Sequence, residues 1–134
     1  KRLLCSLGLW KGTGFPSIAK TNQVDFLYCV SKYPTQLEEL KLNDVSFNGA
    51  NSYSGFSDHT VGLSAPITAI ARGARIIEKH FTLDCKMYGP DHQGSVEPQG
   101  LKQLTKFRDE ISRCLGFIGN SENSVDIVEN SYVL

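Results

Sequence analysis

The chain has 134 residues, 40% of them hydrophobic and 21% charged, a composition typical of one globular unit with a single core. Its 14 basic residues are balanced by 14 acidic ones, so the excess positive charge expected of a protein that binds nucleic acid or a membrane surface is absent. No apolar run approaches the roughly 20 residues that span a bilayer, and residues 1–10 do not resemble a secretion signal, so we expect no membrane segment and a cytoplasmic location.

Two short apolar runs near the start of the chain are typical of buried strands. The first covers residues 2–7 and is ended by Gly8, and the second covers residues 24–30 and is followed by polar residues and Pro34. Residues 11–22 between them are rich in glycine, proline and serine. This composition indicates a loop with at most a short helical turn.

A helix and a third strand are predicted after Pro34. Thr35 belongs to the residue types that cap helices, and the leucines after it recur near helical spacing, which predicts a helix over residues 36–42. The third strand is predicted over residues 53–57. The chain therefore begins to alternate between the two kinds of element.

The second half of the chain predicts two more helices around a fourth strand. The first of these helices covers residues 65–72, with Ser64 as its N-cap and Gly73 after its end. The fourth strand covers residues 74–80. A polar loop then leads to Pro98, which opens the longest helix because apolar residues recur there at steps of three and four. Those apolar residues are Leu101, Leu104, Phe107, Ile111 and Leu115.

The order of the elements predicts the fold class. Strands that alternate with helices and are joined by short connections favour a parallel sheet with right-handed crossovers, so the chain is expected to be α/β. A complete (β/α)8 barrel takes about 250 residues. Four strand–helix units therefore correspond to a partial (β/α)8 TIM barrel, about half of one.

Polar side chains gather at the carboxyl ends of the predicted strands. Ser57 and His59 lie two residues apart, as do Glu78 and His80, and side chains two apart on a strand share a face. Since the carboxyl ends of parallel strands meet at one rim, both histidines could bind a single metal ion there. Taken singly, a histidine at a strand end is more often a structural residue than a metal ligand, and it is the pair that favours a ligand role.

Three other residues near these strands are expected to have structural roles. Cys29 lies in an apolar run, where a free cysteine behaves as a small hydrophobic residue. Asp58 is expected to bond backbone amides at its turn. Lys79 should point away from Glu78 and His80, with solvent or a helix cap as its expected partner and a phosphate contact as the less favoured alternative.

Several segments together resemble one known family. They are Cys5-Ser6-Leu7-Gly8, residues 28–35, residues 55–60, residues 73–82, and Gly89-Pro90-Asp91 followed by Ser95-Val96-Glu97-Pro98. Their order and spacing resemble the second half of the catalytic barrel in the sialic acid synthase family. The resemblance implies that residues 1–118 are the carboxyl-terminal half of such a barrel, and we interpret residues 119–134 as a linker or frayed tail.

The resemblance implies a condensation that depends on phosphoenolpyruvate. In that family the enol carbon attacks the aldehyde of an open-chain N-acetylated amino sugar such as N-acetylmannosamine, water adds at the former C2, and phosphate leaves. The product is a nonulosonic (sialic) acid. A divalent metal, Mn²⁺ or Mg²⁺, is held by two histidines that match His59 and His80, and its role is that of a Lewis acid on the aldehyde.

The same resemblance assigns the other site residues. Glu78 shares the face of His80 and is placed with the two histidines in the catalytic group, where it could orient water on the metal or reach the sugar. The remaining positions match contacts to phosphoenolpyruvate (Ser6, Ser31 and Ser57) and contacts to the sugar (Tyr33 and Asp91).

Two classes of function remain open at this stage. The chain is either part of an active synthase or a catalytically inactive remnant that binds a sugar or a metal. A half-barrel leaves its first and fourth strands without an outer neighbour. We therefore expect it to form a homo-oligomer or to associate with the missing half of the barrel.

Overall fold

The computed structural model describes residues 2–17, 23–116 and 126–130. The described part contains two α-helices, and neither is long and apolar enough to cross a lipid bilayer. The helices are α1 (Ser64–Ala71) and α2 (Pro98–Cys114). The strands are β1 (Arg2–Ser6), β2 (Gln23–Cys29), β3 (Gly55–Asp58), β4 (Ile76–His80) and β5 (Asp126–Asn130).

The five strands form one parallel sheet in the order β1-β2-β3-β4-β5. The sheet is curled rather than flat. In a flat sheet β1 and β4 would lie about 14 Å apart, which is three strand spacings. Ser6 Oγ of β1 nevertheless lies 3.0 Å from Glu78 Oε2 of β4, so the two strands approach each other across a concave face. The predicted α/β class with a parallel sheet is confirmed.

Successive side chains along each strand point alternately to the hydrophobic core and to the concave face. Tyr28, Phe56 and Ile77 are register partners on β2, β3 and β4, and they pack in the core with residues of both helices. Their neighbours in sequence point the other way, because successive side chains on a strand face opposite sides of the sheet. The buried members of the core are Leu40, Val45, Phe47, Phe56, Ala65, Ala69, Ile70, Ala74, Ile77 and Leu104.

The helix predicted over residues 36–42 is wrong. Two single 3₁₀ turns, Leu37–Glu39 and Leu42–Asp44, replace it. Lys41 between them has φ 46°, in the left-handed region, which a continuous right-handed helix does not accommodate. The leucine spacing instead serves the core, since Leu40 is buried and Leu42 packs against the same cluster.

Strand β5 lies within residues 119–134, the segment that we interpreted as a linker or frayed tail. It pairs with β4 over the whole length of that strand, from Ile76 opposite Asp126 to His80 opposite Asn130. Ile127 packs against the core cluster. The outer edge of β4, which we expected to be free, is therefore occupied.

Candidate active site

A cleft of about 360 Å³ opens on the concave face at the carboxyl ends of β1 to β4. The strands end at this cleft and the loops that follow them form its walls. This agrees with the prediction that polar side chains gather at one rim of the sheet. Seven of the eight predicted site residues line it: Ser6, Ser31, Tyr33, Ser57, His59, Glu78 and His80.

The two histidine side chains meet at one point in the cleft. The Tyr33 hydroxyl oxygen lies 2.6 Å from His59 Nε2 and 2.7 Å from His80 Nε2. The centroids of the two imidazole rings are 5.9 Å apart, and the Tyr33 ring stacks on His59 at 3.9 Å. Imidazole nitrogens from two adjacent strands thus face a common position.

A hydrogen bond at Nδ1, the ring nitrogen that does not face the Tyr33 hydroxyl, fixes the orientation of the His59 ring. Its Nδ1 lies 2.9 Å from the carbonyl oxygen of Val30, and since a carbonyl only accepts, Nδ1 carries the hydrogen and donates it. The lone pair of Nε2 is then directed toward Tyr33. Burial lowers the pKa of His59, with a smaller contribution from the nearby His80, so the neutral imidazole is favoured.

This lowered pKa predicts a pH dependence of folding stability. Below about pH 6.5 the unfolded chain takes up a proton at His59 before the folded chain does, so stability should fall as the pH drops from about 7 to about 5. Urea unfolding at several pH values measures this slope. The His59→Ala variant should show a smaller slope in this window than the unaltered protein. Equal slopes for the two proteins would contradict the prediction.

A serine and a carboxylate join opposite walls of the cleft. Ser6 Oγ donates to Glu78 Oε2 at 3.0 Å. Glu78 and Ser57 are register partners on β4 and β3, so they lie side by side on the concave face, and Ser57 is almost fully buried there. This wall therefore offers both hydroxyl donors and a carboxylate acceptor to a polar ligand.

Cys29 belongs to the cleft, although we assigned it no chemistry. Its Sγ lies 3.9 Å from His59 Nδ1, and burial raises the pKa of its thiol even though hydrogen bonds with Ser57 and Ser31 oppose the shift. The thiol is therefore neutral. Cys29 pairs in register with Ser57 and lies two residues before Ser31, and that spacing is a signal for a shared face that we did not use.

Asp91 is the one predicted site residue that does not line the cleft. It comes directly before a 3₁₀ turn, His92–Gly94, and its carbonyl oxygen accepts a hydrogen bond of 2.6 Å from Ser95 Oγ. Its contact with the sugar remains a prediction.

Lys79 contacts neither solvent nor a helix end, so the expected partner was wrong. It is 3% exposed, and its Nζ lies 2.8 Å from Asp58 Oδ2 on the neighbouring strand. Asp58 also accepts a backbone hydrogen bond from Thr60, as expected of a turn aspartate. The prediction that Lys79 points away from Glu78 agrees with its register pairing to Asp58.

Comparison with known proteins identifies the family. Residues 14–120 match the sequence profile of the NeuB family. The chain belongs to this family. The resemblance to sialic acid synthases is thereby confirmed.

Two relatives show the degree of similarity. The N,N'-diacetyllegionaminic acid synthase of Campylobacter jejuni is 38% identical over 122 residues, which are 86% of this chain and 36% of that protein. The N-acetylneuraminate-9-phosphate synthase of Drosophila melanogaster is 43% identical over 82 residues, which are 59% of this chain and 22% of that protein. The chain thus spans between about a fifth and about a third of the length of these relatives.

A solved structure of the same family supports the fold. The N-acetylneuraminic acid (sialic acid) synthetase of Leptospira borgpetersenii serovar Hardjo-bovis, in complex with citrate, matches with a TM-score of 0.65 and 32% identity. The match covers 75% of this chain and 37% of that one. The α/β fold of this NeuB chain is therefore a partial (β/α)8 barrel, as predicted.

The donor groups in the cleft fit part of a metal site. Among the described residues, no three or more His, Cys, Asp or Glu side chains are grouped so that they could hold a metal ion. His59 and His80 provide two imidazoles that face one position, and His59 donates its other ring hydrogen to a carbonyl, as histidine ligands commonly do. The pair fits two positions of a ligand set, and a bound divalent metal remains a prediction.

Proposed function

We propose that this NeuB chain supplies the carboxyl-terminal half of an active site in which phosphoenolpyruvate condenses with an N-acetylated amino sugar such as N-acetylmannosamine. The products are a nonulosonic (sialic) acid and phosphate. The observation that carries the proposal is the convergence of His59 and His80 in a polar cleft at the strand ends. The names of the relatives, which are synthases of legionaminic acid and of N-acetylneuraminate 9-phosphate, support the substrate class.

The two histidines would hold a divalent metal, Mn²⁺ or Mg²⁺. Bound there, the metal supplies a Lewis acid for the aldehyde oxygen of the sugar. A histidine binds a metal through its neutral imidazole, and the lowered pKa of the buried His59 favours that form of the ligand.

The hydroxyl groups of the cleft would bind the anionic substrate. Ser6, Ser31 and Ser57 line it and can each donate to carboxylate or phosphate oxygens. Tyr33, which is about half exposed at the mouth of the cleft, is placed to contact the sugar.

Glu78 would act as an acceptor in the same cleft. Its carboxylate already accepts a hydrogen bond from Ser6 and lies on the concave face beside Ser57. In the proposed reaction Glu78 orients either a sugar hydroxyl or the attacking water. The oxygen of that water bonds to C2 of phosphoenolpyruvate, and the bond between C2 and the phosphate oxygen breaks.

The charge of phosphoenolpyruvate has to be balanced by groups beyond this cleft wall. Lys79 is the one lysine or arginine among the described residues that line the cleft, but its side chain points to the other face of the sheet, where its ammonium is bonded to Asp58 and to the carbonyl of Thr60. The proposal therefore requires a metal, and further cations from the rest of the barrel.

The outer edge of β1 supports association. In the described part β1 pairs with β2 alone, and Leu3, Leu9 and Trp10 near that edge are exposed. We propose that the remaining barrel strands, or a second copy of the chain, cover this edge. Sedimentation equilibrium that shows a stably folded monomer, with no heavier species when the other half is added, would count against this.

The catalytic proposal is tested by reconstitution. The chain is expressed together with the first four strand–helix units of a family member, and phosphate release from phosphoenolpyruvate is measured with N-acetylmannosamine and Mn²⁺. Release should depend on both substrates, and mass spectrometry should detect the condensed acid. Sugar or metal binding without phosphate release, with both halves folded, would favour the inactive remnant instead.

The metal site is tested without any turnover. His59→Ala and His80→Ala should each weaken Mn²⁺ binding on the order of 100-fold, since each removes one of the two proposed imidazole ligands. Calorimetric titration measures the affinity. The matched control is His92→Ala, because His92 bonds Thr82 and does not line the cleft. Unchanged affinity in either test variant would remove that histidine from the ligand set.

A further inference from the structure

We propose that the buried ion pair between Asp58 and Lys79 positions the two histidines of the cleft. The pair would act on the backbone that carries His59 and His80, and it would not touch the substrate. The inference rests on the proposed function only for the importance of those histidines. The alignment of their two side chains is a property of the folded chain.

The two partners are placed directly beside the residues that they would position. Asp58 and Lys79 are register partners at the ends of β3 and β4, and each immediately precedes one of the histidines in the sequence. Their side chains share the sheet face of Phe56 and Ile77, opposite Ser57 and Glu78. A bond between them therefore fixes the two strand ends at the point where the histidines leave the sheet.

The hydrogen bonds of the ion pair hold the backbone of Thr60, the residue that follows His59. Asp58 Oδ1 accepts the amide hydrogen of Thr60 at 2.8 Å, and Lys79 Nζ donates to the carbonyl oxygen of Thr60 at 2.6 Å. Thr60 follows His59 directly, so both peptide groups of Thr60 are tied to the pair. The carbonyl of His59 itself accepts a bond of 3.0 Å from the amide of Thr35.

The burial of this pair sets it apart from the exposed ion pairs of the chain. The side chains of Lys79 and Asp58 are 2% and 0% exposed, whereas those of Lys32 and Glu39 are 54% and 39% exposed. Buried ion pairs add little stability over apolar residues of similar size, but in some proteins they select one arrangement of the elements that carry them. Strands β2 to β4 already pack through apolar side chains on this face, so packing alone does not call for a charge here.

The geometry also separates this role from direct binding of phosphate. Lys79 Nζ has two acceptors, and both carboxylate oxygens of Asp58 have a donor. The pair is neutral as a whole, and two of the three ammonium hydrogens of Lys79 are already donated within it. A positioning role uses the contacts that exist, whereas a phosphate role would require Lys79 to leave them.

The test uses a double variant, Asp58→Asn with Lys79→Met, studied in the full chain. Removing both charges avoids the unpaired charge that would threaten folding in either single variant. Long-range ¹H–¹⁵N NMR of the imidazoles measures which ring nitrogen of each histidine carries the hydrogen. In the unaltered chain His59 should show hydrogen on Nδ1, donated to Val30. The double variant should lose this preference and the contacts of the Tyr33 ring with both histidines.

Two controls and a separate measurement of amide exchange make the result decisive. Lys106→Met with Glu110→Gln, which removes an exposed pair on α2, should leave the imidazole spectra unchanged, and His92 is the internal reference in each protein. A folded double variant with unaltered His59 and His80 signals would overturn the inference. In the unaltered chain the Thr60 amide should be among the slowest to exchange with D₂O, and rapid exchange would also overturn it. None of these readouts needs metal or substrate, so a failed synthase assay leaves them intact.

Discussion

Lys79→Met alone should lower the free energy of unfolding by about 3–5 kcal/mol, because the variant leaves the carboxylate of Asp58 buried without its counter-charge. The carbonyl of Thr60 loses a donor at the same time. Urea unfolding followed by circular dichroism measures the change. This is among the largest effects expected of a single substitution in the chain.

A second substitution, which removes the remaining buried charge, separates the effect of that charge on stability from the effect of the lost hydrogen bonds. Asp58→Asn in the Lys79→Met background should recover much of the stability, since no buried charge then remains. The exposed control, Lys106→Met, should change stability by less than about 0.5 kcal/mol. A loss below about 1 kcal/mol in Lys79→Met would mean that Asp58 and Lys79 are not buried as described.

Phe56→Ala should cost a similar amount, about 3–5 kcal/mol, for a different reason. Phe56 is 0% exposed at the centre of β3, between Tyr28 and Ile77 in register and against the two helices. Truncation removes apolar contacts and leaves a cavity that the surrounding sheet fills only in part. The free energy of unfolding from urea titration measures the loss.

An exposed residue supplies the matched control for Phe56. Leu37 is 51% exposed on the first 3₁₀ turn, so Leu37→Ala should change stability by less than about 1 kcal/mol. Phe56→Leu should lie between the two because it keeps part of the buried volume. Equal stability of Phe56→Ala and Leu37→Ala would contradict the assignment of Phe56 to the core.

The elements predicted from local pattern agree best with the structure. Strands β1 to β4 and helices α1 and α2 correspond to runs whose apolar spacing is set by backbone geometry, with a period of two or of 3.6. The same period placed Ser57 with His59 and Glu78 with His80 along one rim. Covalent geometry is local, so a single sequence contains that information.

Features that depend on distant partners were missed. Strand β5 exists through its pairing with β4, and its five residues lie in a polar segment that suggested a tail. The partner of Lys79 follows from the register between β3 and β4, which neither strand specifies by itself. The left-handed conformation of Lys41, which divides the predicted helix, likewise has no local sign such as glycine.

The position of β5 has a consequence for barrel closure. In a closed ring of eight strands every strand has two neighbours, so the side of β4 that faces away from β3 would be needed by the opening strand of the complementary half. In this chain β5 already holds that place. Completing the ring therefore requires β5 to be displaced by strand exchange, and the competition between the two would govern how readily the halves join.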